Sequence, residues 1–186
     1  MRARGLSWAL LGPAAVLSAP APSFAVDYLT AEQAQAEAFP EAQAFEVREV
    51  TLSPEQLQAL AGRLGEPLRR ARWTLRAARR GGEALGVVVV DDVIGKFERI
   101  TYAVGVGRDG AVRAVEILSY RESHGQEVRL PAWRRQFVGK TAASPLRVGE
   151  DVANLSGATL SCTHLTQGVR RVVAVVAALR EAGALR

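Results

Sequence analysis

Residues 98–106 alternate without a break. Ile100, Tyr102, Val104 and Val106 fall on one side, and Arg99, Thr101, Ala103 and Gly105 on the other, which is the period of two of a strand. Arg108-Asp109-Gly110 follows, a tight turn in which glycine is free to adopt positive φ. Residues 111–118 then return as a second strand, so the pattern predicts a β-hairpin. Gly105-Val106-Gly107 lies just before the turn and reads as turn chemistry. A hairpin alone cannot bury its apolar face, so it needs further layers.

The flanking sequence offers them. Val87 to Val90 is an unbroken valine run inside a predicted strand over 84–91, the composition of a strand buried on both faces. Residues 45–52 and 72–79 also read as strands, with Gly81-Gly82 as a turn. Thr30 caps a short helix that ends near Pro40. Ser53-Pro54-Glu55-Gln56 starts another that ends near Gly62 or Gly65, with serine as cap and proline at the first helical position. After a polar segment over 119–129, residues 131–137 predict a short helix. Leu165, Val169, Val172, Val173, Val176 and Leu179 build the apolar stripe of a long C-terminal helix, with Arg170, Arg171 and Arg180 off it. The expected fold class is α+β, an antiparallel sheet with packed helices.

The first 25 residues stand apart. Arg2 and Arg4 precede an apolar stretch from Leu6 to Leu17, and the segment closes on Ser23-Phe24-Ala25. That is the order of a secretory signal peptide, with cleavage expected after Ala25. The formal charge of +5 falls to +3 once Arg2 and Arg4 leave, so electrostatics do not argue for a nucleic-acid partner. One cysteine, Cys162, excludes an internal disulfide, and two histidines, His124 and His164, argue against a multi-histidine metal centre. An exported chain without disulfides is compatible with a periplasm, and a membrane anchor is the alternative fate of the leader.

Most enzyme signatures are missing. The chain has no G-x-S-x-G elbow, P-loop or H-E-x-x-H. A hydrolase using Ser156 or Thr159 as nucleophile therefore has little support. The unusual stretch is Asn154-Leu155-Ser156-Gly157-Ala158-Thr159-Leu160-Ser161-Cys162-Thr163-His164, with hydroxyls and small residues ahead of the long helix. Unpaired N–H groups at a helix start suit a phosphate. A serine- and threonine-rich cap, with Ser161 or Thr163 as the cap residue, is the plainer reading, and spacing alone favours it.

Ser156-Gly157-Ala158-Thr159, followed by Leu160-Ser161, resembles the flavinylation motif of the FMN-binding domain family. That family includes the C subunit of the sodium-translocating NADH:quinone reductase, the G subunit of the Rnf complex and small exported relatives. The likeness extends to Val93-Ile94-Gly95-Lys96, to the strand over 100–106, to residues 116–125 and to residues 133–140. In all it covers about residues 85–178, in the expected order. The expected divisions are the signal peptide over 1–25, an N-terminal helical and strand part over 26–84 and, by the resemblance, an FMN-binding core over 85–186. The resemblance gives the rest of the expected chemistry. It implies FMN as cofactor, carried on Thr159 through a phosphoester made by a flavin transferase with FAD as donor. It places Ser156, Gly157, Ala158, Leu160 and Ser161 around the phosphate. Glu122, His124 and Gly125 fall near the flavin ring or the surface that faces the transferase. Tyr102 and Trp133 are aromatic candidates for stacking, although strand position assigns Tyr102 to the core. The implied role is electron transfer with a membrane reductase or cytochrome partner, as a carrier without turnover of its own. The alternative is a periplasmic binding module of the same fold with reversible FMN or none. One position departs from the family pattern. The family has aspartate three residues before the serine, where it assists the modification, and this chain has Ala153, with Asp151 the nearest acid.

Overall fold

A computed structural model describes residues 26–185; the signal-peptide expectation over 1–25 lies outside them. Six strands form one sheet: β1 (Val26–Asp27), β2 (Ala44–Thr51), β3 (Arg72–Arg80), β4 (Glu83–Ile94), β5 (Arg99–Gly107) and β6 (Val112–Tyr120). The order across the sheet is β1-β6-β5-β4-β3-β2, and every neighbouring pair is antiparallel. The helices are α1 (Ala31–Ala38), α2 (Pro54–Leu64), the single turn α3 (Pro131–Arg134) and α4 (Thr159–Glu181), with 3-10 turns at Gln126–Arg129 and Arg135–Phe137. The fold is α+β, as the strand and helix periods predict.

The central hairpin puts its two faces in two cores. Ile100, Tyr102, Val104 and Val106 join Leu165, Val169, Val172 and Val176 of α4 in the larger one. Ala103 joins Ala34, Ala38 and Phe39 around α1 on the opposite face. Val87 and Val89 belong to the first core and Val88 to the second, which is why the valine run lacks alternation. Both early helices begin with capping boxes, from Thr30 and Gln33 in α1 and from Ser53 and Gln56 in α2. Helix α2 stops at Gly65, which takes the left-handed conformation.

Three expectations are corrected by packing. Strand β4 runs past Asp91 to Ile94 because its charges are met in the tertiary structure: Asp91 by Arg70 and Arg171, Asp92 by Arg99. Gly105 is not turn chemistry. It lies within β5, and a Cβ there meets the Cβ of Ala38 at 2.6 Å, so glycine is what lets α1 settle on the sheet. Helix α4 begins at Thr159, two turns ahead of its apolar stripe, so Ser161 and Thr163 lie inside the helix and cap nothing. The division at 84/85 falls inside β4, and strands from both sides of it share the one sheet. Among the described residues, no helix is long and apolar enough to cross a membrane.

Candidate functional site

Three loops converge on the N-terminal end of α4. The first is the turn between β4 and β5, residues 95–98. The second is residues 121–125, which leave β6. The third is residues 153–158, which lead into the helix. Each is held by named contacts.

Loop 121–125 is pressed against the helix start at Gly125. Its φ is +83°, and a Cβ there meets Tyr120 Oη at 2.8 Å, Ser161 Oγ at 3.2 Å and Ala158 Cβ at 3.3 Å. The Tyr120 hydroxyl donates to the carbonyl of His124 at 2.6 Å, which leaves Ser161 Oγ to donate to Tyr120 Oη at 3.1 Å. Burial pushes the Tyr120 phenol up, so it keeps the proton this chain of bonds needs. Glu122 is buried. Its Oε1 accepts the N–H groups of Phe97 at 2.6 Å and Glu98 at 2.9 Å, joining the second loop to the first. His164, in the second turn of α4, closes the ring of contacts. Its Nδ1 lies 2.7 Å from the carbonyl of Ile94 and 2.9 Å from that of Gly95. Two carbonyls can only accept, so Nδ1 carries the proton.

The structure thus divides the predicted residues. Glu122, Gly125, Ala158 and Ser161 are buried and hold the loops together. His124, Ser156, Gly157, Thr159 and Leu160 are exposed around the helix start. Trp133 is buried against Phe137, and Tyr102 lies under α4 with its hydroxyl on Asp91 at 2.9 Å, so neither is presented at the loop surface.

Thr159 is the first residue of α4, and the residue before it, Ala158, makes no side-chain cap. The N–H groups of the first helical turn are therefore left without the capping box that α1 and α2 possess. Asn154 Nδ2 donates to Thr159 Oγ1 at 3.1 Å and orients the hydroxyl. Gly157 has φ +83°, and a Cβ there meets nothing within 4 Å, so the space beside the loop is open. An exposed hydroxyl, free N–H groups and an open flank together fit a phosphate ester.

The loop bearing Ala153 is anchored from behind. Trp133 Nε1 donates to the Ala153 carbonyl at 2.7 Å, and the Ala153 N–H donates to Gln136 Oε1 at 2.8 Å. The Ala153 side chain itself is exposed. Asp151 has a different task. Its Oδ2 accepts from Lys140 Nζ at 2.8 Å and the Leu146 N–H at 3.2 Å, and its Oδ1 from the Arg147 N–H at 2.8 Å. It is already committed to the 146–152 loop. Burial opposes its charge, but the bonds from Lys140, Arg147 and Leu146 prevail and hold the carboxyl below its ordinary value. A lowered folded-state pKa gives stability that is present above the unfolded value and lost as pH falls through the folded one. The melting temperature of wild type should exceed that of Asp151→Asn by a constant margin above about pH 4, and the margin should shrink below it. A pH-independent margin would contradict the ionic role.

Asn154, Gln136 and His164 are contributors that sequence reasoning did not place. Asn154 and Gln136 act through long side chains across loops, which leave no spacing signature. His164 stands five residues after Thr159, and only the folded turn at residues 94–95 gives it a partner.

Residues 95–174 match the family described as the FMN-binding domain. The chain carries an FMN-binding domain. That match begins at the glycine of the 95–98 turn and ends within α4, so it spans all three converging loops. FMN is the domain's cofactor, and the helix start at Thr159 within it is open and uncapped. Among solved structures, the crystal structure of Shewanella oneidensis NqrC is similar to this chain with 19% identity and a TM-score of 0.45, covering 79% of this chain and 70% of that one. No curated protein matches the chain.

Proposed function

We propose that the protein is an exported flavoprotein that carries FMN on Thr159 and passes electrons within a membrane-associated redox system. The observation that carries this reading is the Thr159 hydroxyl. It is exposed, oriented by Asn154 and placed at the uncapped first turn of α4 inside the FMN-binding domain. The leader-like first 25 residues are in keeping with the export part of the proposal.

Attachment requires a flavin transferase that presents FAD. The oxygen of Thr159 attacks the phosphorus of the FMN half and forms the phosphoester. The pyrophosphate bond breaks and AMP leaves, while the hydroxyl proton passes to a base on the transferase. The N–H groups at the start of α4 then hold the phosphate. The bound flavin supplies one- and two-electron chemistry, and the protein supplies position and electrostatics. A tether keeps the cofactor with a protein that works outside the cytoplasm. The redox partner in this scheme is a membrane reductase or a cytochrome, with no nucleic-acid partner.

Ala153 favours one alternative, a domain of the same fold that holds FMN reversibly. Intact mass of the denatured protein, coproduced with a flavin transferase, separates the two. The expected result is a gain equal to FMN less one water. Unmodified mass, with yellow colour released on denaturation, would establish the reversible form instead. Ala153 is exposed and held through its backbone, so Ala153→Asp should fold normally and restore an assisting carboxylate. Its initial rate of flavin incorporation should rise about a hundredfold over wild type, the lower end of general-base assistance. An unchanged rate would show that this position takes no part.

A further inference from the structure

We infer that Ile94, Phe97 and Leu160 form the platform on which the isoalloxazine ring of FMN lies, with Lys96 at its edge. This rests on the FMN reading of the domain and goes beyond it, since it assigns the ring to one flank of α4.

Ile94, Phe97 and Leu160 are 44, 75 and 45% exposed, although each is a large apolar side chain. They come from two separate parts of the sequence, and the site contacts bring those parts together. His164 donates to the carbonyls of Ile94 and Gly95, and Leu160 lies one helical turn before His164 on the same side of α4. Leu160 therefore stands beside the end of β4. Phe97 is at the tip of the next turn, and its own N–H is tied to the buried Glu122. The turn is held on both sides, by Glu122 and by His164, yet the aromatic ring at its tip has no core to enter. A rigid turn that exposes phenylalanine beside the cofactor-bearing helix is the expected form of a stacking surface.

The occupant follows from position. Leu160 is the residue after Thr159, so a phosphoester on Thr159 starts at the border of the patch, and the ribityl chain leads the ring across it. An isoalloxazine is flat, apolar at its dimethylbenzene end and electron-rich at its pyrimidine end. Phe97, Ile94 and Leu160 suit the first property. Lys96 Nζ, 4.8 Å from the centre of the Phe97 ring, supplies a cation for the second. Further along the same face of α4, past Ile94 and His164, lies a polar cleft lined by Arg69, Arg70, Asp91, Gln167 and Arg171, in which Asp91 is already paired with arginine.

The test uses the flavin-loaded full chain. Iodide quenching and anisotropy of flavin fluorescence report how far the ring is shielded and held. Wild type should quench more weakly than free FMN. Phe97→Ala and Leu160→Ala should both quench more strongly and lose anisotropy. Val47→Ala, on the exposed face of β2, should match wild type. Lys96→Gln should lower the flavin midpoint potential, because a cation favours the anionic reduced ring. Where flavin is held reversibly, Phe97→Ala should raise the Kd for added FMN about tenfold, the scale of losing one aromatic stacking contact. Denatured mass reports the tether independently, so failure of attachment and failure of the platform read out separately. Wild-type shielding and anisotropy retained in both Phe97→Ala and Leu160→Ala would overturn the platform, as would exposure of the ring by Gln167→Ala in place of Phe97→Ala.

Discussion

Thr159→Val should abolish covalent flavin completely while leaving the fold as it is. Valine keeps the branched shape of threonine and removes only the oxygen. Residue 159 is exposed, and its hydroxyl makes one bond, from Asn154. The stability change should stay within about 0.5 kcal/mol, as for other exposed substitutions. No neighbouring hydroxyl is placed to substitute. Ser161 Oγ is buried and engaged with Tyr120, and Thr163 lies in the second turn of the helix. Ser156 is exposed, but it precedes the helix and lies outside the first turn. Intact mass after denaturation checks the outcome directly. Thr159→Ser, which keeps an oxygen at the same place, should recover part of the modification. A full FMN adduct on Thr159→Val would show that another residue is the acceptor, with Ser156 the next to examine.

Asp91→Ala should be among the most destabilising single changes in the chain, at about 3–5 kcal/mol. Asp91 is a buried carboxylate in the middle of the sheet. Its Oδ2 accepts from Tyr102 Oη at 2.9 Å and from Arg171 Nη2 at 2.7 Å, and its Oδ1 pairs with Arg70 Nη2 at 2.8 Å. It thereby ties α4 and the segment between α2 and β3 to the sheet. Burial, together with the charge of Asp91, drives the Tyr102 phenol far up, so tyrosine is always the donor in this cluster. Removing the carboxylate strands a tyrosine hydroxyl beside two guanidinium groups and leaves the half-buried Arg171 uncompensated. Urea denaturation should show the loss as a lower midpoint at an unchanged slope. A loss below about 1 kcal/mol would mean that solvent reaches both arginines and that the cluster is an exposed ion pair in effect.

Much of this architecture was legible from local patterns. Strand β5 and its turn followed from the alternation around Tyr102 and from Gly110, and α2 from Ser53 and Pro54. The valine run announced a strand covered on both faces, and α1 and α4 cover it. The S-G-A-T motif singled out the residues that lead into α4. Other features were not legible. The two-residue strand β1 has no period of its own and exists only because β6 offers it an edge. The run of β4 past its aspartates is hidden from sequence because the arginines that neutralise them come from residues 70, 99 and 171. The start of α4 is hidden from sequence because hydroxyl-rich residues usually flank helices, whereas here Ser161 is drawn inward by Tyr120.

The residues that carry local chemistry were determined by the sequence itself: which segments alternate, which residues cap, and that a small hydroxyl-bearing loop precedes a long apolar helix. Such signals depend on neighbours a few positions apart, where chain geometry alone decides who meets whom. The tertiary structure decided the rest. It committed Asp151 to its own loop, gave Glu122 and His164 the task of holding the 95–98 turn, and left Thr159 and Phe97 in the open at the same end of α4. Those outcomes depend on contacts between residues tens of positions apart, and only the closure of the sheet around α4 brings them within hydrogen-bonding distance.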